Sequence, residues 1–189
     1  MSITTIVERE IKLRYDSVES ARAAVLAAGA TPLLGRRLQE DALLDTEDES
    51  LRRRQCALRI RVENGKSRIT FKGPVQQPSD MKMRDELETI VGDGMLLLQI
   101  FEELGFHVWF RYEKYREEFS HEEVIVAIDE TPVGVFVEIE GSEPGIAAMA
   151  RLLGRRPGDY VLDSYRGLFL KYRDEYGLDG SDMLFDRAE

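Results

Sequence analysis

The 189-residue chain is 43% hydrophobic, has a formal net charge of -10 at pH 7 and a pI near 4.9. That size and apolar content suit one domain with a sizeable core, and the acidic balance disfavours non-specific attraction to nucleic acid or an anionic membrane. A single cysteine, Cys56, excludes an intramolecular disulfide, and no apolar run approaches the length of a membrane span.

The first strand is read from Glu8-Arg9-Glu10-Ile11-Lys12. Alternate side chains of a strand face opposite ways, so Glu8, Glu10, Lys12 and Arg14 share one face and Val7, Ile11 and Leu13 the other. Glu8 and Glu10 also interrupt the basic, apolar and small-residue order of a signal peptide, so a reducing, cytoplasmic protein is expected. A helix follows from Asp16 or Ser17 to about Ala28, with Val18, Ala21, Val25 and Ala28 as its apolar stripe and Gly29 as its stop. Leu34 to Asp45 returns to period 2, with Leu38, Ala42 and Leu44 against Gln39, Asp41 and Asp45, and with Glu40 on the apolar side.

Leu58, Ile60 and Val62 then alternate with Arg59, Arg61 and Glu63, and Asn64-Gly65 supplies the positive-φ pair of a two-residue hairpin turn before Arg68 to Lys72. Gly73 to Ser79, with Pro74 and Pro78, reads as a loop. The fifth strand, Met81 to Val91, puts Arg84, Glu86 and Glu88 on one face. Asp93 caps a helix to Leu104 whose predicted core face is Leu97, Ile100, Phe101 and Leu104. The sixth strand, Phe106 to Phe119, carries Val108, Phe110, Tyr112, Lys114 and Arg116 on its even face. A last hairpin spans Val124 to Glu140, and two helices are expected, from Ser142 to Gly154 and from Pro157 to Tyr176.

Eight strands with one charged face each would leave too little apolar surface for a single open sheet. Closing them into an antiparallel barrel removes the edges, turns the apolar faces toward surrounding helices and points the charges into a lumen. The predicted lumen holds Glu8, Glu10, Glu86, Glu88, Asp129, Glu138 and Glu140 with Lys12, Arg59, Arg61, Lys72, Lys114 and Arg116. Enclosed charges are costly unless paired or used on a ligand. Guanidinium and ammonium groups suit phosphate oxygens, and carboxylates suit hard divalent cations, so a polyanion with its metal explains the mixture. A polar barrel that neutralises itself is the alternative.

Glu8-x-Glu10-x-Lys12, Leu58-Arg59-Ile60-Arg61, Thr70-Phe71-Lys72-Gly73, the Glu86/Glu88 pair, Lys114-x-Arg116, Ile128-Asp129 and Glu138-x-Glu140 occur in that order. This set resembles the CYTH domain of the triphosphate tunnel metalloenzymes, which include class IV adenylate cyclases, thiamine triphosphatases and inorganic tripolyphosphatases. The resemblance covers about Ile6 to Gly141 and extends to the C-terminal helices at 142–176, as one domain.

The resemblance implies an α+β fold, an eight-stranded closed antiparallel tunnel with helices outside, binding a triphosphate-containing small molecule with Mg²⁺ or Mn²⁺. Carried over by position, Lys12, Arg59, Arg61, Lys72, Lys114 and Arg116 would grip phosphates, with Lys171 an additional contact. Glu8, Glu10, Asp129, Glu138 and Glu140 would serve the metal, and Glu8, Glu10, Lys12, Glu88 and Asp129 the chemistry. Cyclases of this family often carry His-Phe shortly before the first motif, where this chain has Ser2-Ile3, so triphosphate hydrolysis is expected. The alternatives are cyclisation of ATP to cyclic AMP and pyrophosphate, and a non-catalytic module that binds polyphosphate or nucleotide. A homodimer stays open.

Overall fold

Strand β1 (Ile6–Tyr15) is buried on both faces: Ile11 and Leu13 lie under helices, and Glu10 and Lys12 lie inside a barrel. The computed structural model describes residues 6–76 and 80–186, so Ser2, Ile3, Pro78 and Ser79 fall outside the described residues. The other strands are β2 (Thr31–Thr46), β3 (Ala57–Glu63), β4 (Lys66–Lys72), β5 (Lys82–Val91), β6 (Phe106–His121), β7 (Val124–Thr131) and β8 (Gly134–Gly141). They close antiparallel in the order β1-β5-β4-β3-β2-β6-β7-β8. The seam is β1 itself, where Glu10 faces Lys82 on one side and Glu140 on the other. The predicted closed barrel and its α+β class are the observed ones.

The local rules explain most boundaries. Asn64 and Gly65 take φ of 49° and 72°, and Glu63 faces Lys66 across the two-residue turn. Helix α1 (Val18–Ala27) starts at Ser17, whose side chain accepts from the Ser20 amide, and buries Ala21 and Val25. Helix α4 (Glu143–Leu152) is capped by Ser142 and buries Ile146, Met149 and Ala150. These two helices cover the outer apolar faces of β1, β7 and β8, including Val126, Ile128, Val137 and Ile139. At ~1.5–3 kcal/mol for each large side chain removed from water, this is the main cohesive layer. Helix α2 (Ser50–Arg53) is a single turn whose Leu51 and Arg52 amides are received by the Asp45 carboxylate at 2.9 and 3.0 Å. That use of Asp45 takes it off the polar face on which the sequence put it.

Helix α3 (Gly94–Glu103) is capped by Asp93, as read, but not on the predicted face. Leu98 is buried and Leu97 and Phe101 pack beside it, whereas Ile100 and Leu104 are 48% and 66% exposed. Gly94 selects the docking. Its amide donates to Ser67 Oγ at 3.1 Å, and a Cβ there would sit 2.5 Å from that oxygen. With apolar residues nearly all round the helix, periodicity could not choose this side.

The C-terminal region also differs from expectation. Pro157–Asp159 form one 3₁₀ turn, Val161 donates to the Lys12 carbonyl at 2.8 Å, and helix α5 (Tyr165–Tyr176) begins only at its Ser164 cap. This helix plugs one end of the barrel. Tyr165, Leu168 and Phe169 meet the inward-facing Phe110 and Phe136 there. Beyond it, Met183 is 1% exposed and exchanges backbone hydrogen bonds with Arg111 and Glu113 of β6, where that strand overhangs β7. Phe185 packs on Tyr115 with ring centroids 5.1 Å apart.

Candidate active site in the barrel lumen

The lumen is a cavity of about 680 Å³. Every predicted lumen residue except Asp129 lines it, and strand register explains why: Glu8, Glu10 and Lys12 alternate inward on β1, Arg59 and Arg61 on β3, Lys114 and Arg116 on β6, and Glu138 and Glu140 on β8. The outward partners of these residues pack on helices, so a one-residue slip of any strand would bury apolar groups in the lumen and expose charge outside.

Two walls can be distinguished. On the β1/β8 wall, Lys12 Nζ lies 2.9 Å from Glu10 and 3.2 Å from Glu138, and Lys82 reaches Glu10 at 2.8 Å. Burial opposes charge on Glu10, but Lys12 and Lys82 outweigh it and hold this carboxyl well below the usual range. Glu138 is likewise held low against burial by Lys12 and Arg116, the latter at 2.7 Å. On the opposite wall Asp41 receives Arg61 through both oxygens, at 2.8 and 3.1 Å, and Arg59 approaches it at 3.4 Å. The Arg59 Nε is buried without a hydrogen-bond partner among the described residues. Buried donors of this kind ordinarily find an acceptor, and an anionic ligand would supply one.

Two carboxylates do not share in the compensation. Glu140 is raised to about 7 by burial and by the neighbouring Glu138 and Glu10. Glu8 is also raised to about 7, by burial first and then by Glu10 and Glu86, although Lys72 stands 2.6 Å away. The contact and the raised value are compatible because Lys72 is shared: Glu86 lies 2.9 Å from it and is held below its ordinary range, leaving the deeper Glu8 undercompensated.

This imbalance gives a testable sign. Between about pH 4.5 and 7 folded Glu8 retains a proton that the unfolded chain releases, so stability falls as pH rises through that window. Glu8→Gln, which leaves Lys72 its Glu86 contact, should therefore stabilise the metal-free protein by ~2 kcal/mol at pH 8 and by nothing measurable at pH 4. Urea midpoints at the two pH values check it, and equal effects at both would refute it.

Asp129 is placed differently from its expected role. It is fully buried beneath the lining, where Lys114 at 2.8 Å, Arg116 at 2.6 and 2.7 Å and the Tyr165 hydroxyl at 2.5 Å all donate to its two oxygens. With its two oxygens receiving four donors, it anchors Lys114 and Arg116 from beneath the lining. Burial and the adjacent Arg116 lower Lys114 to about 8 in spite of Asp129. Lys171 is not brought to the lumen: its ammonium pairs with Asp163 at 2.7 Å on the outer surface. Glu86 joins the Glu8–Lys72 group, while Glu88 sits nearer the β3–β4 turn, bonded to Arg68 and Thr70 at 2.9 Å.

Sequence reasoning missed several groups in and beneath the lining. Asp41, buried behind Arg59 and Arg61, was on the recognised polar face of β2 and could have been included, and Lys82 lines the lumen in parity with Glu86 and Glu88. Tyr165 had no strand pattern to reveal it. Its ring lies 5.3 Å from Lys12 Nζ and 4.7 Å from Lys114 Nζ.

As they stand, no three carboxylate, His or Cys groups among the described residues converge on a ready-made metal cluster. The donor chemistry nevertheless fits a hard divalent cation. Glu8, Glu10, Glu138 and Glu140 face one lumen from adjoining strands, and two of them lack the positive charge needed to ionise fully at neutral pH.

The comparisons with known proteins agree with this arrangement. A structure of the Pyrococcus horikoshii protein PH1012 superposes with a TM-score of 0.70 at 26% identity, covering 84% of this chain and 96% of that one. HpAC1 of Hippeastrum, which bears the name of an adenylyl cyclase and shows a dominant triphosphatase activity, shares the fold with a TM-score of 0.64 at 20% identity, over 89% and 96% of the two chains. "Putative adenylate cyclase MJ0240" of Methanocaldococcus jannaschii is 32% identical over 138 residues, 72% of this chain and 78% of that protein. The family model for the CYTH domain matches residues 7–162, the same stretch that builds the charged barrel, and the chain belongs to the CYTH family.

Proposed function

We propose that the protein is a divalent-metal-dependent triphosphatase, hydrolysing inorganic tripolyphosphate, thiamine triphosphate or a nucleoside triphosphate inside the tunnel. The observation that carries this reading is the convergence, in one 680 Å³ lumen, of Lys12, Arg59, Arg61, Lys72, Lys114 and Arg116 with undercompensated carboxylates on the β1/β8 wall. Arg59 Nε, 3.4 Å from Asp41 without a closed hydrogen bond, adds a donor that a phosphoryl oxygen would satisfy.

In this reading the fixed cations hold the triphosphate and neutralise charge that builds on its oxygens, with no reorganisation at the moment of reaction. Glu8, Glu10, Glu138 and Glu140 would hold Mg²⁺ or Mn²⁺, which supplies further neutralisation of the phosphoryl oxygens. A carboxylate of this wall left free by the metal is suited to take the proton of the attacking water as the terminal phosphorus–oxygen bond breaks. Asp129 and Tyr165 keep Lys114 and Arg116 aimed into the lumen. The activity of HpAC1 supports hydrolysis, and the name of the Methanocaldococcus relative supports a second reading, cyclisation of ATP.

Incubation with tripolyphosphate, thiamine triphosphate and ATP in turn, with Mg²⁺ or Mn²⁺ and with chelator, separates these readings. Orthophosphate released only with metal is the expected result. Cyclic AMP with pyrophosphate would establish the cyclase, and tight binding without product would make the domain a binding module.

A further inference from the structure

The lumen does not end at the phosphate cations. Where α2 and α5 approach the same end of the barrel, Arg52, Gln55, Trp109 and Arg166 also line it. Two guanidinium groups lie over the Trp109 indole, with the Cζ of Arg52 4.4 Å and that of Arg166 4.7 Å from the ring centroid. Arg52 is neutralised, 3.3 Å from Asp45 and 2.8 Å from Glu49. Arg166 shows no ion pair among the described residues, and its contact is the indole. Its guanidinium is held below the ordinary range by burial and by Arg52 and Arg173, with Glu49 opposing them, and Arg173 is itself tied to Asp174 at 2.9 Å. A half-buried guanidinium that lines the lumen with no ion pair of its own is open to an incoming anion.

The position of this cation gives it a ligand. Arg166 follows Tyr165 directly on α5, and the Tyr165 ring touches both Lys12 and Lys114. Lys12, Lys114, Tyr165 and Arg166 all line the one cavity, so it is continuous from the triphosphate cations to Arg166. A nucleobase fits this end poorly: guanidinium groups already occupy stacking surface on Trp109, and a neutral ring would leave the positive charge uncompensated. A further phosphate satisfies it, since a guanidinium fork matches phosphate oxygens.

We infer that Arg166, held on Trp109, forms a fourth anion subsite at the α2/α5 end of the tunnel, so that the protein takes linear polyphosphates longer than three phosphates in preference to a triphosphate bearing a nucleoside. This rests on reading the lumen as a triphosphate site. Calorimetric titration of the intact, metal-free protein with tripolyphosphate, linear tetrapolyphosphate and ATP tests it, so no turnover is needed. Tetrapolyphosphate should bind roughly tenfold more tightly than tripolyphosphate, the scale of one charge-assisted hydrogen-bonded contact. Arg166→Gln should erase that margin and leave tripolyphosphate affinity within about twofold, and Arg166→Lys should recover part of the margin. Equal affinity for the two chains in the intact protein overturns the subsite, as does an equal loss for both in Arg166→Gln. A dependence on Arg166 confined to ATP would make the position a base site and also overturn it. Failure of every probe to bind the intact protein would remove the triphosphate reading itself, whereas tripolyphosphate binding without a tetrapolyphosphate margin removes the subsite alone.

Discussion

Asp129→Asn is expected to destabilise the protein by ~3–5 kcal/mol, the usual cost of stripping one partner from a buried ion pair. Asp129 is fully buried and receives Lys114, Arg116 and Tyr165 at once, so no solvent can replace the lost charge. Arg116 keeps Glu138 at 2.7 Å, but Lys114 loses the one ion pair it makes among the described residues while still facing Arg116. At this chain length the loss corresponds to a fall in Tm of roughly 10 °C.

A second signature separates the electrostatic account from a packing defect. Lys114 is already lowered to about 8, and without Asp129 its pKa falls further. The folded variant then binds fewer protons than the unfolded chain over the range up to the normal lysine pKa, so its stability rises with pH through that window. The deficit relative to the parent protein should be clearly smaller at pH 9 than at pH 6. Denaturant unfolding at both values measures it, and a deficit below ~1 kcal/mol at pH 6, or one that ignores pH, would contradict the anchoring role.

Glu138→Gln is expected to act on turnover. This residue is 7% exposed between Lys12 and Arg116 and stays ionised because both cations outweigh its burial. The amide keeps the shape and removes one of four carboxylates from the proposed metal wall. Turnover at saturating triphosphate should fall by ~10²-fold or more, the scale seen when a preorganised charged group is removed from a reaction centre. The metal concentration for half-maximal rate should rise. Triphosphate affinity without metal should be equal or tighter, because the lumen gains net positive charge. The fold should persist, checked by an unchanged circular-dichroism spectrum, and an unaltered rate at limiting metal would remove Glu138 from the site.

The barrel and most of its lining were legible because two-fold periodicity is strict in a sheet with both faces buried. Glu10 and Lys12 on one side of β1 and Ile11 and Leu13 on the other could be sorted without any tertiary information. Depth was not legible. Period 2 assigns Asp129 to the inner face, but its closure depends on Tyr165, delivered from a helix that packs over the barrel end. Irregularity hid other features: the register shift between Leu43 and Leu44 turns Trp109 to the lumen, out of step with the even-numbered residues of β6. Where apolar residues surround a helix, as on α3, only the close approach at Gly94 decides which of them are covered.

The mutual pairing of the lumen charges has a consequence for discrimination. Lys12, Lys72, Arg61 and Arg116 each hold a carboxylate, so a visiting anion would have to break existing contacts before making its own. A small solitary ion such as sulfate or orthophosphate can replace too few of them to recover that loss. A linked oligoanion replaces several together for a single loss of translational freedom. On the proposed reading the tunnel would count connected negative groups, and simple anions would be turned away by the same side chains that retain the longer guest.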